Sequence, residues 1–184
     1  MFDYNVMTDP KKWFHMFNIL TPDECKFLAT LSKTQVKNTG ERDHFNQHRV
    51  FITRESKFFS RFNSEKTRKA LSKITGVECY NGKLRIEYCV DSSGFFLKKH
   101  YDIPEKLITL QTYLGDGRVN WGTTLYNDDK TYNRLVPFIH NTGWLVGNNT
   151  KLLHGVKHNS ISGTRHSLII NYVVGDWKDT DQLW

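Results

Sequence analysis

The sequence predicts a mainly β, α+β domain: an antiparallel sandwich or barrel with N-terminal helices packed outside it. Two observations carry this expectation. Helix signals crowd the first eighty or so residues, and from Leu84 onward short runs of β-branched, aromatic and aliphatic residues alternate with Gly, Asn and Asp. Those runs return at intervals of about ten residues, the spacing of strands in sandwiches and barrels.

The elements follow in order. Thr21-Pro22-Asp23-Glu24 combines a capping hydroxyl, a proline at the first helical position and two acids in the first turn. Cys25, Phe27, Leu28 and Leu31 follow, so a helix is expected over 22–32. A second helical stretch is expected over 56–73, with Phe58, Phe62, Leu71 and Ile74 inward and Gly76 ending it. Strands are then expected at 84–90, 95–101, 107–114, 123–126, 142–146, 151–154 and 165–174. Turns fall at Ser92-Ser93-Gly94, Gly115-Asp116-Gly117, Gly147-Asn148-Asn149 and Ser162-Gly163. No repeat or linker divides the chain, which reads as one domain over 1–184, with helical support over about 1–83 and a β core over about 84–176.

Composition narrows the class. With 38% hydrophobic and 14% aromatic residues, the chain is too apolar to be disordered. No apolar run approaches the roughly 18 residues of a membrane helix, and Asp3, Asp9, Lys11 and Lys12 break any signal-peptide core, so no membrane partner is expected. Cys25, Cys79 and Cys89 are odd in number and form no CxxC pair, which fits the reducing cytoplasm. The formal charge of +7 is uneven, for residues 1–83 hold 15 basic and 9 acidic side chains while 84–184 hold 11 and 10. Arg42, Arg49, Arg54, Lys57, Arg61, Lys66, Arg68, Lys69 and Lys73 face only three acids in that segment, which reads either as a solvated helix face or as a surface for an acidic partner.

His100 and Asp102 stand two apart at the end of an expected strand, so their side chains leave one face with Cα atoms roughly 6.5 to 7 Å apart. Two ligands can then share a metal, and His154, at the end of a later short strand, can meet them. Two imidazoles and one carboxylate leave open positions on an iron, as oxygen activation requires. A His-x-Asp triplet alone is weak, since eight His and twelve Asp make one easy to find by chance. Arg165 strengthens it. It opens the most apolar strand in the chain and shares a face with Ser167, Ile169, Asn171 and Val173, where an inward guanidinium needs an anion. A dicarboxylate held by the arginine fork would supply one.

With these residues the sequence resembles the 2-oxoglutarate/Fe(II)-dependent dioxygenase superfamily, whose members share a His-x-Asp, distal His, then Arg pattern. The order Tyr88, Gly94, His100-Tyr101-Asp102, Tyr113-Leu114 and His154-Gly155-Val156 is most similar to the prolyl-hydroxylase-like branch. The resemblance spans about 84–174 and implies a double-stranded β-helix, or jelly roll. It implies His100, Asp102 and His154 as Fe(II) ligands, with Arg165 and Ser167 on the distal carboxylate of 2-oxoglutarate. Tyr113 and Tyr88 would line the co-substrate pocket, although both also read as core residues with satisfied hydroxyls. It further implies hydroxylation of a C–H bond with O2 as oxidant and release of succinate and CO2. Asp102 fills the carboxylate position, which disfavours halogenation.

Rival readings remain at this level. An AlkB-type nucleic-acid demethylase would use the basic segment, but Asn171 stands where that family has a second arginine, and Ile86-Glu87-Tyr88 replaces its Asn-x-Tyr. A non-catalytic β-barrel binding module would use the His and Asp residues structurally. His154 and His158 have a zinc-helix spacing but no His-Glu-x-x-His, and His140 and His166 are the other histidine rivals; His166 should face away from the site. Trp121, Tyr126 and Trp144 read as core packing or as a substrate mouth. The primary substrate, whether protein side chain, nucleotide or small molecule, is left open.

Overall fold

A computed structural model describes residues 2–31, 47–129, 133–158 and 160–175. Two antiparallel sheets face each other. The larger has the order β1 (Asp3–Met7), β2 (Trp13–Phe17), β9 (Thr142–Gly147), β6 (Lys106–Leu114), β11 (Arg165–Val173), β4 (Lys83–Asp91) and β3 (Gln47–Phe51). The smaller has the order β5 (Leu97–His100), β10 (Leu153–Val156), β7 (Thr123–Tyr126) and β8 (Asn133–Val136). From β4 to β11 each strand crosses to the other sheet except at β7–β8, a hairpin within the smaller sheet, which is a jelly-roll arrangement.

Side-chain alternation gives the large sheet two unlike faces. Leu84, Ile86, Tyr88, Ile108, Leu110, Leu168, Ile170 and Tyr172 face outward into one apolar core. That core is closed by Leu28 of α1 (Pro22–Leu31), Phe58, Phe59 and Phe62 of α2 (Lys57–Asn63) and Leu71 of α3 (Glu65–Thr75). The intervening residues face the smaller sheet. There Tyr113, Trp121, Leu125, Val136, Phe138 and Trp144 build a second core, leaving the centre of the sandwich to polar groups.

Local chemistry accounts for the helices. Thr21 and Glu24 cap α1 reciprocally, with Thr21 N–H donating to the Glu24 carboxylate at 2.8 Å and Glu24 N–H to the Thr21 hydroxyl at 3.3 Å. The single stretch expected over 56–73 is instead two helices. Ser64 breaks it, because its backbone is extended, its hydroxyl accepts from Thr67 N–H, and its own N–H donates to the Arg61 carbonyl. Gly76 ends α3 with φ of 73°.

The N-terminal region differs from the expected helical support. It also contributes β1, β2 and β3, which extend both edges of the large sheet. Nor do its cations form one basic face. Arg68 is buried and donates to the carbonyls of Cys79 and Gly82, Arg61 pairs with Glu24, and Arg49 lies on β3; Lys57, Lys66, Lys69 and Lys73 are exposed, and Arg42 lies outside the described residues.

One glycine fixes the spacing of the small sheet. A Cβ at Gly155 would stand 2.6 Å from the Leu97 carbonyl oxygen, so β5 and β10 approach as they do only without a side chain there. Gly155→Ala is expected to lower stability by about 1–3 kcal/mol through this overpacking, read from the midpoint of denaturant unfolding.

Candidate metal centre and active site

Strand pairing brings the two histidines together. His154 on β10 is the register partner of His100 on β5, with ring centroids 4.4 Å apart. Asp102 lies two residues beyond His100. The ligand atoms of His100, Asp102 and His154 all lie within 4.8 Å of one another, and among the described residues this is the one such cluster.

Each imidazole is already oriented. His100 Nδ1 lies 2.9 Å from the Lys98 carbonyl and His154 Nδ1 lies 3.0 Å from the Leu152 carbonyl. A carbonyl can only accept, so each Nδ1 carries a proton, and Nε2 is the ring nitrogen left to face a metal. Burial lowers the His154 pKa to about 4, against opposition from Asp102, so the ring is neutral at physiological pH. Asp102 receives a hydrogen bond from the Thr109 hydroxyl at 2.9 Å and pairs with Lys106. Burial alone would raise its pKa, but Lys106, His154 and these hydrogen bonds together hold the carboxyl well below the usual carboxylate range. Two imidazoles and one carboxylate suit a divalent transition ion.

A cavity of about 130 Å³ adjoins the trio, lined by Gln111, Thr123, Trp144, Arg165 and Asn171 among others. Trp144 packs against His154 at 5.0 Å and donates to Gln111 Oε1 at 2.8 Å, which Thr123 Oγ1 also reaches at 2.8 Å. A larger cavity of about 510 Å³ shares Asp102, Lys106 and Thr109 and opens past Tyr101 and Lys151.

Arg165 faces inward, as the alternation of β11 requires, and is 1% exposed. It already has an anion: Nη1 pairs with Asp91, its register partner on β4, and Nε donates to the Trp121 carbonyl at 2.7 Å. The inference that burial alone obliges it to hold a co-substrate is therefore corrected. What remains is Nη2, which is buried and has no hydrogen-bond partner among the described residues. Tyr113 lies beneath the guanidinium at 5.4 Å and accepts from Thr123 N–H at 2.9 Å. Burial raises the Tyr113 pKa, partly offset by Arg165, so the phenol is neutral. Ser167 is buried on the same face, 3.5 Å from Gln111.

Tyr88 is not at the site. It stands on the opposite face of β4, in the core beneath the helices, and its hydroxyl meets His166 Nδ1 at 2.8 Å. A single-residue step along a strand reverses the face, and Tyr88 falls between the inward Glu87 and Cys89. His166 faces outward as expected. His140 and His158 are exposed, and Trp121 and Tyr126 are buried, Trp121 in the second core, while Trp144 lines the cavity. Five charged groups around the cavity were not read as site residues from the sequence: Arg49 on β3, Arg85, Glu87 and Asp91 on β4, and Lys106 four residues past Asp102. The signal was present in Arg85-x-Glu87-x-x-x-Asp91, where charges hold one parity of an otherwise apolar strand.

No family model matches the chain, and no curated protein matches it in sequence. Solved structures do match in shape. A prolyl-4-hydroxylase from Pseudomonas putida superposes with a TM-score of 0.68 at 14% identity, covering 89% of this chain and 93% of that one. The viral collagen prolyl hydroxylase of Paramecium Bursaria Chlorella virus-1, in its 2-oxoglutarate complex, gives 0.62 at 18% identity, with 91% and 99% covered. This chain has the 2-oxoglutarate/Fe(II) oxygenase fold. HygX from Streptomyces hygroscopicus, bound to nickel, 2-oxoglutarate and hygromycin B, gives 0.62 at 11% identity, with 88% and 82% covered. Prolyl hydroxylases and a protein bound to hygromycin B therefore share this scaffold, and the scaffold does not select the substrate.

The low pKa of His154 carries a sign for stability. Folded His154 takes up a proton only near pH 4, whereas the unfolded residue does so near 6.5, so stability present above about 6.5 is lost as pH falls toward 4. In chelator, the denaturant midpoint of the wild-type chain should fall over that window, and His154→Gln should flatten the fall.

Proposed function

We propose that this chain is an Fe(II)- and 2-oxoglutarate-dependent dioxygenase that hydroxylates a C–H bond. The observation that carries the reading is the convergence of His100, Asp102 and His154 on one small volume, in a cavity that also holds the unsatisfied Nη2 of Arg165. His100 and His154 would offer Nε2 to the iron and Asp102 a carboxylate oxygen, a set that leaves one side of the ion open. Arg165 Nη2 would donate to the distal carboxylate of the co-substrate, with Ser167 and Tyr113 beside it on the same face. Together with O2, these groups when bound supply an oxidant strong enough for an unactivated C–H bond, releasing succinate and CO2.

The chain's own residues do the rest. Gln111, Thr123 and Trp144 form a hydrogen-bonded wall that excludes bulk water. Thr109 holds Asp102 in place and Lys106 balances its charge. The chain has three free thiols, and among the described residues no helix is long and apolar enough to cross a membrane; both features agree with a cytoplasmic enzyme. A demethylase of the AlkB type finds less support, because Asn171 contacts Thr109 at 3.0 Å where that family has arginine.

Anaerobic calorimetry with Fe(II) and 2-oxoglutarate, followed by succinate detection in air, tests the assignment. His100→Ala and His154→Ala should weaken metal binding by about a hundredfold or more, and unchanged affinity in both would defeat it. Arg165→Ala would strand the buried Asp91 carboxylate and cost about 3–5 kcal/mol of stability, so the paired variant Arg165→Met with Asp91→Asn is the cleaner probe. It should retain metal and weaken 2-oxoglutarate binding by at least about tenfold.

A further inference from the structure

The carboxylate of the trio carries a cation of its own. Lys106 pairs with Asp102 through Oδ1, and the Thr109 hydroxyl donates to Oδ2 at 2.9 Å, so both oxygens are engaged within the chain. The pair spans a turn in which Lys106 N–H donates to the Ile103 carbonyl at 3.1 Å, and each side chain is 19% exposed. Lys106 also lines both cavities, the one shared with Arg165 and the larger one open past Tyr101. No other lysine or arginine among the described residues lines both.

The field of this ammonium reaches past Asp102. Burial is the main cause of the low His154 pKa, and Lys106 works in the same direction, disfavouring positive charge on that ring. Burial would raise the Asp102 pKa, and Lys106 is the largest of the influences that hold it down. Both are the effects of a positive charge beside the trio, and a divalent ion bound there would meet the same charge.

Two consequences oppose each other. Lys106 helps to hold Asp102 in place, which favours metal binding, and it sets a like charge beside the ion, which disfavours it. The first effect is largely duplicated. Thr109 secures the other oxygen, and the carbonyls of Lys98 and Leu152 orient the two imidazoles without Lys106. The second is not offset, because the other acids lining the two cavities have cations of their own: Asp128 pairs with Lys11 and Glu87 with Arg49. Low exposure also limits screening by salt. We infer that Lys106 is a built-in counter-ion against which a divalent metal competes for Asp102, so that the trio binds metal more weakly than its three ligands alone would. The carboxylate is thereby balanced before metal arrives, and the ion is held reversibly. This role of Lys106 rests on the metal-centre reading.

The test is calorimetric titration of the full chain with Mn(II) in air and with Fe(II) under anaerobic conditions, both without 2-oxoglutarate. Lys106→Met keeps an apolar stem and removes the charge, and it should tighten binding of both ions by about tenfold or more. Lys106→Arg restores the charge and should return the Kd to within about threefold of wild type. Thr109→Val takes a neutral donor from the same carboxylate and should not tighten binding. In chelator Lys106→Met should unfold at lower denaturant than wild type, and saturating Mn(II) should raise its midpoint by more. Unchanged or weaker metal binding by Lys106→Met overturns the inference, for that is the behaviour of a residue that only positions Asp102. Equal tightening by Lys106→Met and Thr109→Val overturns it too, because loosening of the carboxylate, not loss of charge, would then be the cause. If Lys106→Met does not fold without metal, Lys106→Gln takes its place with the same expectation, since a neutral amide can still donate to Asp102. Wild-type binding with no gain in the variant leaves the metal centre standing and removes only the counter-ion. Binding by neither chain defeats the metal centre itself, and the counter-ion with it.

Discussion

The two-residue period of β4 and β11 is the constraint on which the rest of this molecule depends. Alternate side chains of these central strands face an apolar core under the helices and a polar cavity between the sheets. Leu84, Ile86, Tyr88, Leu168, Ile170 and Tyr172 secure the first, and this anchorage presents Arg85, Glu87, Asp91, Arg165 and Asn171 to the second. A slip of one residue in either strand would bury charges under the helices and turn leucines toward His100, Asp102 and His154, so register and candidate site are specified by one pattern.

Much of this pattern was legible in the sequence because the strands after Leu84 are short, well punctuated and strongly alternating. The strands expected at 84–90, 107–114, 123–126, 142–146 and 165–174 agree with the structure to within a residue or so at each end. β8 escaped because its four residues, Asn133–Val136, sit in a polar stretch and gain their order from β7. β1, β2 and β3 escaped for a related reason: each adds to an edge of a sheet that already exists, so pairing rather than intrinsic preference decides its state. The break at Ser64 was missed because a serine inside a periodic helix pattern is ordinary until its hydroxyl captures the next turn.

The site residues divide along the same line. Spacing and strand parity, properties of the chain itself, singled out His100, Asp102, His154 and Arg165, and all four line one cavity. Tyr88 was misplaced because its link to the pocket came from resemblance, and the parity of β4 contradicts it. Arg49 could not be read from sequence at all, since its approach to Glu87 depends on β3 pairing with β4. Parity within a strand is local information, whereas proximity between strands is not.

Charge placement gives the cavity a direction. At one end Arg165 is neutralised by Asp91 and keeps a single unsatisfied nitrogen, a modest donor that can hold one carboxylate reversibly. Farther along the cavity, Arg49 and Arg85 both pair with Glu87, so these charges too are held within its wall. With an apolar residue in place of Asp91, Arg165 would face the cavity with its full charge and grip an anion more tightly. Asp91 instead tempers the arginine, so this end of the cavity offers one directed donor rather than a bare cation.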